Sequence, residues 1–144
     1  MIKYRKAVET DVTALKALTD SMLSHTSLGV ATESKIRTLI VSPVTFSMLA
    51  FDDSKLVGFI CGIVHESVFN TAKRVSDIGL YVDPEYRSSE IAAVLIEHLE
   101  TWAMQVGASQ VWLGQTTGDN PRVVERFYNQ LGYKTKGFNC LKEL

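Results

Sequence analysis

Apolar and charged residues alternate from Ile2 to Lys6, a two-residue period that predicts a first strand. The period then lengthens. Thr10-Asp11 supplies a helix cap, and Val12, Leu15, Leu18 and Met22 recur at three- and four-residue steps, the mark of one buried helical face. A polar, Gly-containing loop over Ser24 to Val30 precedes a short helix from about Thr32 to Ile40, stopped by Ser42-Pro43. Val44 to Phe51 and Lys55 to His65 read as strands on either side of the turn Asp52-Asp53-Ser54, an antiparallel hairpin. Glu66 to Thr71 connects to a further strand, Lys73 to Val82. Pro84 ends it, because proline cannot donate to a ladder and biases Asp83 toward extended geometry.

The helical period returns at Ile91, Val94, Leu95, Leu99, Trp102, Ala103 and Val106, with Ser88 and Ser89 placed as caps and Gly107 as the stop. Gln110 to Gln115 forms an apolar strand, and Thr116 to Asn120 a polar loop. Pro121 opens a last helix whose Val124, Phe127, Tyr128 and Leu131 share a face, and Gly132 ends it in favour of a closing strand from Tyr133 to about Leu141. The predicted order is β-α-α-β-β-β-α-β-α-β on one mixed sheet, with no repeat and no linker.

With 144 residues, 46% of them hydrophobic and 22% charged, the chain suits one domain with a sizeable core. A net charge of −1 without any basic run removes the electrostatic reason to expect nucleic acid. The longest apolar runs, such as Val57 to Val64, are too short to span a membrane, and the charged start Met1-Ile-Lys-Tyr-Arg-Lys is unlike a signal peptide. A cytoplasmic protein is the expectation. Cys61 and Cys140 lie in apolar, strand-like contexts and are expected as buried free thiols; His25, His65 and His98 are scattered, so no metal site is expected.

The stretch Ser76 to Glu97 carries the first chemical hint. A strand feeding a helix N-terminus presents free backbone N–H groups and the positive end of a dipole, which together can hold a phosphate or pyrophosphate. An ordinary strand-turn-helix connection is the alternative reading.

Two separated motifs then define a resemblance. Leu80-Tyr81-Val82-Asp83-Pro84-Glu85-Tyr86-Arg87 is similar to the strand and pyrophosphate-loop approach of the GCN5-related N-acetyltransferase (GNAT) family, and Arg126-Phe127-Tyr128-Asn129-Gln130-Leu131-Gly132-Tyr133 to its last helix and closing strand. The element order resembles that family over nearly the whole chain. The resemblance implies a single α/β domain over residues 1–144 with the acyl-CoA N-acyltransferase fold. Its mixed, mostly antiparallel sheet would have about six to seven strands flanked by about four helices. It implies acetyl-CoA as acyl donor, held in a V-shaped opening between the strands ending at Val82 and near Gln115, and direct transfer to a primary amine of a small molecule or protein. No metal, nucleic acid or membrane enters. A homodimer is a family-level expectation, since closing strands of this fold pair between subunits.

Residue by residue, the family's loop, Gln or Arg, two variable residues, Gly, one variable residue, then Gly or Ala, is met by Arg87-Ser88-Ser89-Glu90-Ile91-Ala92. Arg87 and Ala92 fit, while Glu90 stands where the family has the glycine that lets backbone approach the pyrophosphate. Leu80, Tyr81 and Val82 would offer a strand N–H to the thioester, and Phe127 would border the same site. Tyr128 matches the family's general acid: a phenol with a pKa near 10 can protonate a departing thiolate at neutral pH. Asn120 lies one residue farther from that tyrosine than the family's asparagine, and reads equally as a helix cap. For the general base, Asp77 is the nearest carboxylate on the motif strand, with His65, Glu66 and His25 as alternatives. In a regular strand Asp77, Gly79 and Tyr81 share one face and Ile78, Leu80 and Val82 the other, which also allows Asp77 to be an ordinary solvent-facing residue. A second function follows from Glu90 and the shifted Asn120: an acyl-CoA-binding or interaction protein that has kept the scaffold and lost turnover.

Overall fold

A computed structural model describes residues 1–87, 89–114 and 120–144, with only the backbone of Ser89. Five strands, β1 (Ile2–Lys6), β2 (Thr45–Asp52), β3 (Lys55–Glu66), β4 (Lys73–Val82) and β5 (Gln110–Trp112), form one sheet in that order. All neighbours are antiparallel except β4 and β5, which run parallel. Four helices, α1 (Val12–Leu23), α2 (Glu33–Val41), α3 (Ser89–Gln105) and α4 (Pro121–Gln130), complete the chain.

The sheet is covered on both faces. On one side Ile91, Leu95, Ile96, Leu99, Trp102 and Ala103 of α3 pack on Met48, Ala50, Val57, Ile60, Val75 and Val82, with Phe127, Tyr128 and Leu131 extending the cluster at its edge. On the other, Val12, Leu15, Leu18 and Met22 of α1 and Ile36 of α2 meet Leu49, Phe59, Cys61 and Tyr81. Leu95 and Leu99 are fully buried, and each contributes about 2 kcal/mol through the apolar area it removes from water. Central strands β2 and β3 are apolar on both faces for that reason.

Three expectations are corrected. The closing strand over Tyr133 to Leu141 does not form, so the sheet has five strands among the described residues rather than six or seven. Gly137, at φ +70, turns the backbone into the left-handed region in the middle of that segment, and Phe138 and Leu141 stand 88% and 87% exposed. Cys140 is exposed with this tail; Cys61 alone is buried, its thiol pushed up to about 11 by burial despite a contact with Ser47 Oγ at 3.3 Å. Finally, Asp11 does not cap α1 with its side chain. Its carboxylate instead takes both Nη1 and Nη2 of Arg5, at 2.7 and 2.9 Å, and Val8 N–H at 2.8 Å, which closes the 3₁₀ turn Glu9–Asp11. The Arg5 bonds hold this carboxyl below the usual range. Asp11→Ala strands a half-exposed guanidinium and a backbone N–H, so thermal unfolding should show a loss of about 2 kcal/mol, or about 4–8 °C in Tm. An unchanged Tm would mean that the turn closes without the carboxylate.

Candidate functional site

The connection from β4 to α3 is tied down from the β2–β3 hairpin. Asp83 N–H donates to Val57 O at 2.8 Å, Lys55 Nζ lies 3.6 Å from Asp83 Oδ2, and Tyr86 OH donates to Asp52 Oδ2 at 2.8 Å. Asp83 Oδ1 accepts from Glu85 N–H, closing the 3₁₀ turn Pro84–Tyr86 ahead of α3. These bonds fix where the N-terminus of α3 points. Arg87 precedes it, with Nε donating to Val82 O at 3.2 Å and its guanidinium 5.4 Å over the Tyr81 ring. Ser88 lies outside the described residues. Ile91 is buried and Ala92 half-buried, anchoring the first turn to the core, whereas Glu90 is exposed. Burial and then the Glu90 charge raise the Tyr4 hydroxyl above its ordinary value.

β4 and β5 pair only at Arg74–Gln110, Val75–Val111 and Ser76–Trp112. Beyond Ser76, β4 runs on to Val82 with no strand on that side among the described residues. The opening that the family resemblance implies would therefore lie beside Asp77 to Val82, above the last β4–β5 pair. Gln115 and the loop 116–119 lie outside the described residues.

A β-bulge decides what looks into this opening. Cys61 pairs with Gly79 but Gly62 with Asp77, leaving Ile78 as the extra residue. The bulge flips the face parity below it. Asp77 therefore shares the α3 side with Val75, Leu80 and Val82, while Gly79 and Tyr81 face Met22 and α1. The regular alternation expected from the sequence is thus corrected, and Asp77 does not simply face solvent. Its Oδ1 accepts Gly114 N–H at 3.1 Å, and Tyr128 OH donates to Gly114 O at 3.2 Å, so one peptide residue bridges the two side chains. Burial pushes the Asp77 carboxyl up to about 6, only partly countered by the Gly114 bond. Burial, and then the Asp77 charge, raises Tyr128 further above an ordinary phenol.

Phe127 is half-buried beside Tyr128, ring centroids 5.9 Å apart. Asn120 Oδ1 accepts Arg122 N–H at 3.2 Å and Val123 N–H at 3.4 Å, which makes it the N-cap of α4 and orients the helix that carries Tyr128. None of the alternative bases bonds to Asp77, Gly114 or Tyr128 among the described residues. His65 bonds Arg74 and Ser76, Glu66 ends β3 exposed, and His25 follows α1. Gly114 escaped the sequence reading because its contribution is backbone. The bulge had a signal in Gly62 and Gly79, since glycines inside strands often mark one. A Cβ at Gly62 would run into Leu99 Cδ1.

A groove of about 1070 Å³ lies on the outer side of β5 between α4 and the tail Tyr133 to Asn139. It touches Gly114 and Tyr128 but none of the residues from Asp77 to Ala92, so it is not the β4–β5 opening. Among the described residues no group of three His, Cys, Asp or Glu could hold a metal, and no helix is long and apolar enough to cross a membrane.

A mixed sheet whose only parallel pair is β4 and β5 among the described residues, with α3 following β4 and Tyr128 of α4 bonded beside β5, is the arrangement to set against known families. The family model for the acetyltransferase (GNAT) family matches residues 17–133, and the chain belongs to that family. A comparison with curated proteins gives no match. Among solved structures, a ribosomal-protein-alanine N-acetyltransferase from Brucella melitensis biovar Abortus 2308 is 17% identical, with TM-score 0.78 over 100% of this chain and 99% of that one. An aminoglycoside acetyltransferase from an uncultured soil metagenomic sample is 15% identical, with TM-score 0.81 over 100% and 99%. An acetyltransferase from Trypanosoma brucei is 15% identical, with TM-score 0.80 over 100% of both chains. At these identities the likeness concerns the fold.

Proposed function

We propose that this protein transfers the acetyl group of acetyl-CoA to a primary amine, with Tyr128 as general acid and Asp77 as general base. The observation that carries the reading is the Asp77–Gly114–Tyr128 bridge at the floor of the β4–β5 opening. Arg87 and the N–H groups opening α3, from Ser89 to Ala92, suit the pyrophosphate, because a helix of 17 residues offers unsatisfied donors and a positive dipole end there. Ser88 completes this loop in the sequence. A strand N–H between Leu80 and Val82 would polarise the thioester carbonyl. Asn120 and Phe127 act by positioning α4.

In the reaction Asp77 takes a proton from the ammonium, the amine nitrogen attacks the carbonyl carbon, and an N–C bond replaces the C–S bond. Tyr128 protonates the departing sulfur and recovers a proton from the one the amide nitrogen sheds. The products are the acetylated amine and free CoA. Calorimetry with acetyl-CoA followed by thiol release across an amine panel tests this. Binding with no turnover on any amine would favour the second reading from the sequence, a scaffold that binds acyl-CoA without catalysis.

Glu90 is the one residue at odds with the loop pattern. Glu90 is exposed, so screening limits its effect on a bound pyrophosphate. Glu90→Gln should change the acetyl-CoA dissociation constant by less than about threefold in calorimetry. A tenfold gain in affinity would show the carboxylate repelling the donor.

A further inference from the structure

On the sheet face opposite Asp77, four side chains at the last β4–β5 pairs form a shelf. Ser76 and Trp112 are themselves a register pair, and Arg74 and Gln110 are the pair two residues below. The Arg74 guanidinium lies 4.9 Å from the centroid of the Trp112 indole. Arg74 Nε donates to His65 Nε2 at 3.3 Å, and Ser76 Oγ lies 3.2 Å from the same nitrogen. Trp112 Nε1 donates to Gln110 Oε1 at 2.9 Å, which ties the indole to its own strand. Arg74 is exposed, Trp112 is 40% exposed, and among the described residues no carboxylate pairs with Arg74.

The arrangement has a direction. With Nε committed to His65 and Cζ held over an indole, the guanidinium loses little further freedom when its terminal N–H groups meet a ligand. A planar fork with five donors and no acceptor matches a carboxylate in two parallel bonds. This face is not the one that carries Asp77 and Tyr128, so a ligand here reaches the opening from the side away from α3. The shelf begins where the opening ends. Arg74 and Ser76 are two residue steps apart along β4, about 7 Å at the usual strand rise. An α-amino acid holds its amine about 3 Å from its carboxylate and is too short to bridge that span, whereas two extended residues cover about 7 Å.

We propose that this shelf is the acceptor subsite, and that Arg74 there binds the carboxylate of a primary amine of about dipeptide length, its amine placed at the β4–β5 opening. His65 and Trp112 position the guanidinium; Arg74 sets specificity. The inference rests on the acetyl-transfer reading for the role of the amine, but the anion site itself can be measured without a donor.

The test pairs glycylglycine with glycylglycinamide, which keeps the amine and the length and removes the carboxylate. Acetyl-CoA calorimetry comes first, since a donor that does not bind refutes the acetyltransferase reading and leaves the shelf to its own measurement. Tryptophan fluorescence without donor then reads the shelf. The expected result is a saturable change with glycylglycine that glycylglycinamide does not produce, that vanishes in Trp112→Phe and that needs about tenfold more ligand in Arg74→Gln. With acetyl-CoA present, kcat/KM for glycylglycine should exceed that for the amide by about tenfold, and Arg74→Gln should bring the ratio within about threefold. Equal responses to acid and amide, or no saturable change with glycylglycine, overturn the inference whatever the donor does.

Discussion

Asp77→Asn is expected to lower kcat by about a hundredfold while leaving the acetyl-CoA dissociation constant within about threefold, because a general base contributes about that much and makes no ground-state contact with the donor. Asparagine keeps an oxygen for Gly114 N–H, so the bridge to Tyr128 survives and only the charge is lost. The pH profile supplies the sharper readout. With the Asp77 carboxyl raised to about 6, the wild-type rate should climb as pH passes through that value and the base becomes free to accept a proton. In Asp77→Asn that limb should vanish, leaving the ionisation of the amine at higher pH. A wild-type limb that persists in the variant would assign it to another group.

Stability should move the other way. The folded-state pKa lies above the unfolded carboxylate value, so the native state binds the proton more readily than the unfolded chain. The charged form is therefore a penalty to folding above about pH 6, relieved as pH falls toward 4. Asp77→Asn should accordingly be more stable than wild type by roughly 1–3 kcal/mol at pH 8, and the two should converge near pH 4. Denaturant melts at the two pH values check this. Loss of activity with gain of stability would separate a residue kept for chemistry from one kept for packing.

Tyr128→Phe is expected to cut turnover by about a hundredfold, with acetyl-CoA affinity within about threefold of wild type. Phenylalanine preserves the ring contacts with Phe127 and Tyr133, whose centroids lie 5.9 and 6.2 Å away, so the loss should fall on proton donation. Burial and the Asp77 charge keep the phenol protonated well above neutral pH, while a free thiol ionises near 8.5; the donor stays loaded under every condition in which a CoA thiolate needs its proton. Single-turnover thiol release and acetyl-CoA calorimetry separate the two quantities. Normal turnover would remove Tyr128 from the reaction.

Much of the fold was legible along the chain. The two-residue alternation of Ile2 to Lys6 became β1, the long apolar run Lys55 to His65 became β3 almost at its predicted bounds, and the helical stripe from Ile91 to Ala103 became the buried face of α3. Such patterns are local, and burial of one face enforces them wherever the element packs. The closing strand failed because its apolar residues found no paired edge to cover them, and Gly137 turned the backbone out of the extended region. Asp11 was misread for a related reason: its nearest strong partner, Arg5, lies on another element, and two charge-assisted bonds outweigh one cap.

The sequence by itself determined the element order as far as α4, the two motifs that resemble the family, and the identities of Tyr128 and Arg87 as candidate site residues. Tertiary structure alone decided which face Asp77 occupies, because a single extra residue at Ile78 reverses the parity of everything below it in β4. It also decided that Gly114, a residue without a side chain, joins Asp77 to Tyr128, and that Arg74, His65 and Trp112 from three strands meet on one shelf. Strand periodicity assigns residues to faces only while the ladder stays in register. Where a bulge shifts it, and where backbone groups or residues distant in sequence meet, only the folded chain brings the chemistry together.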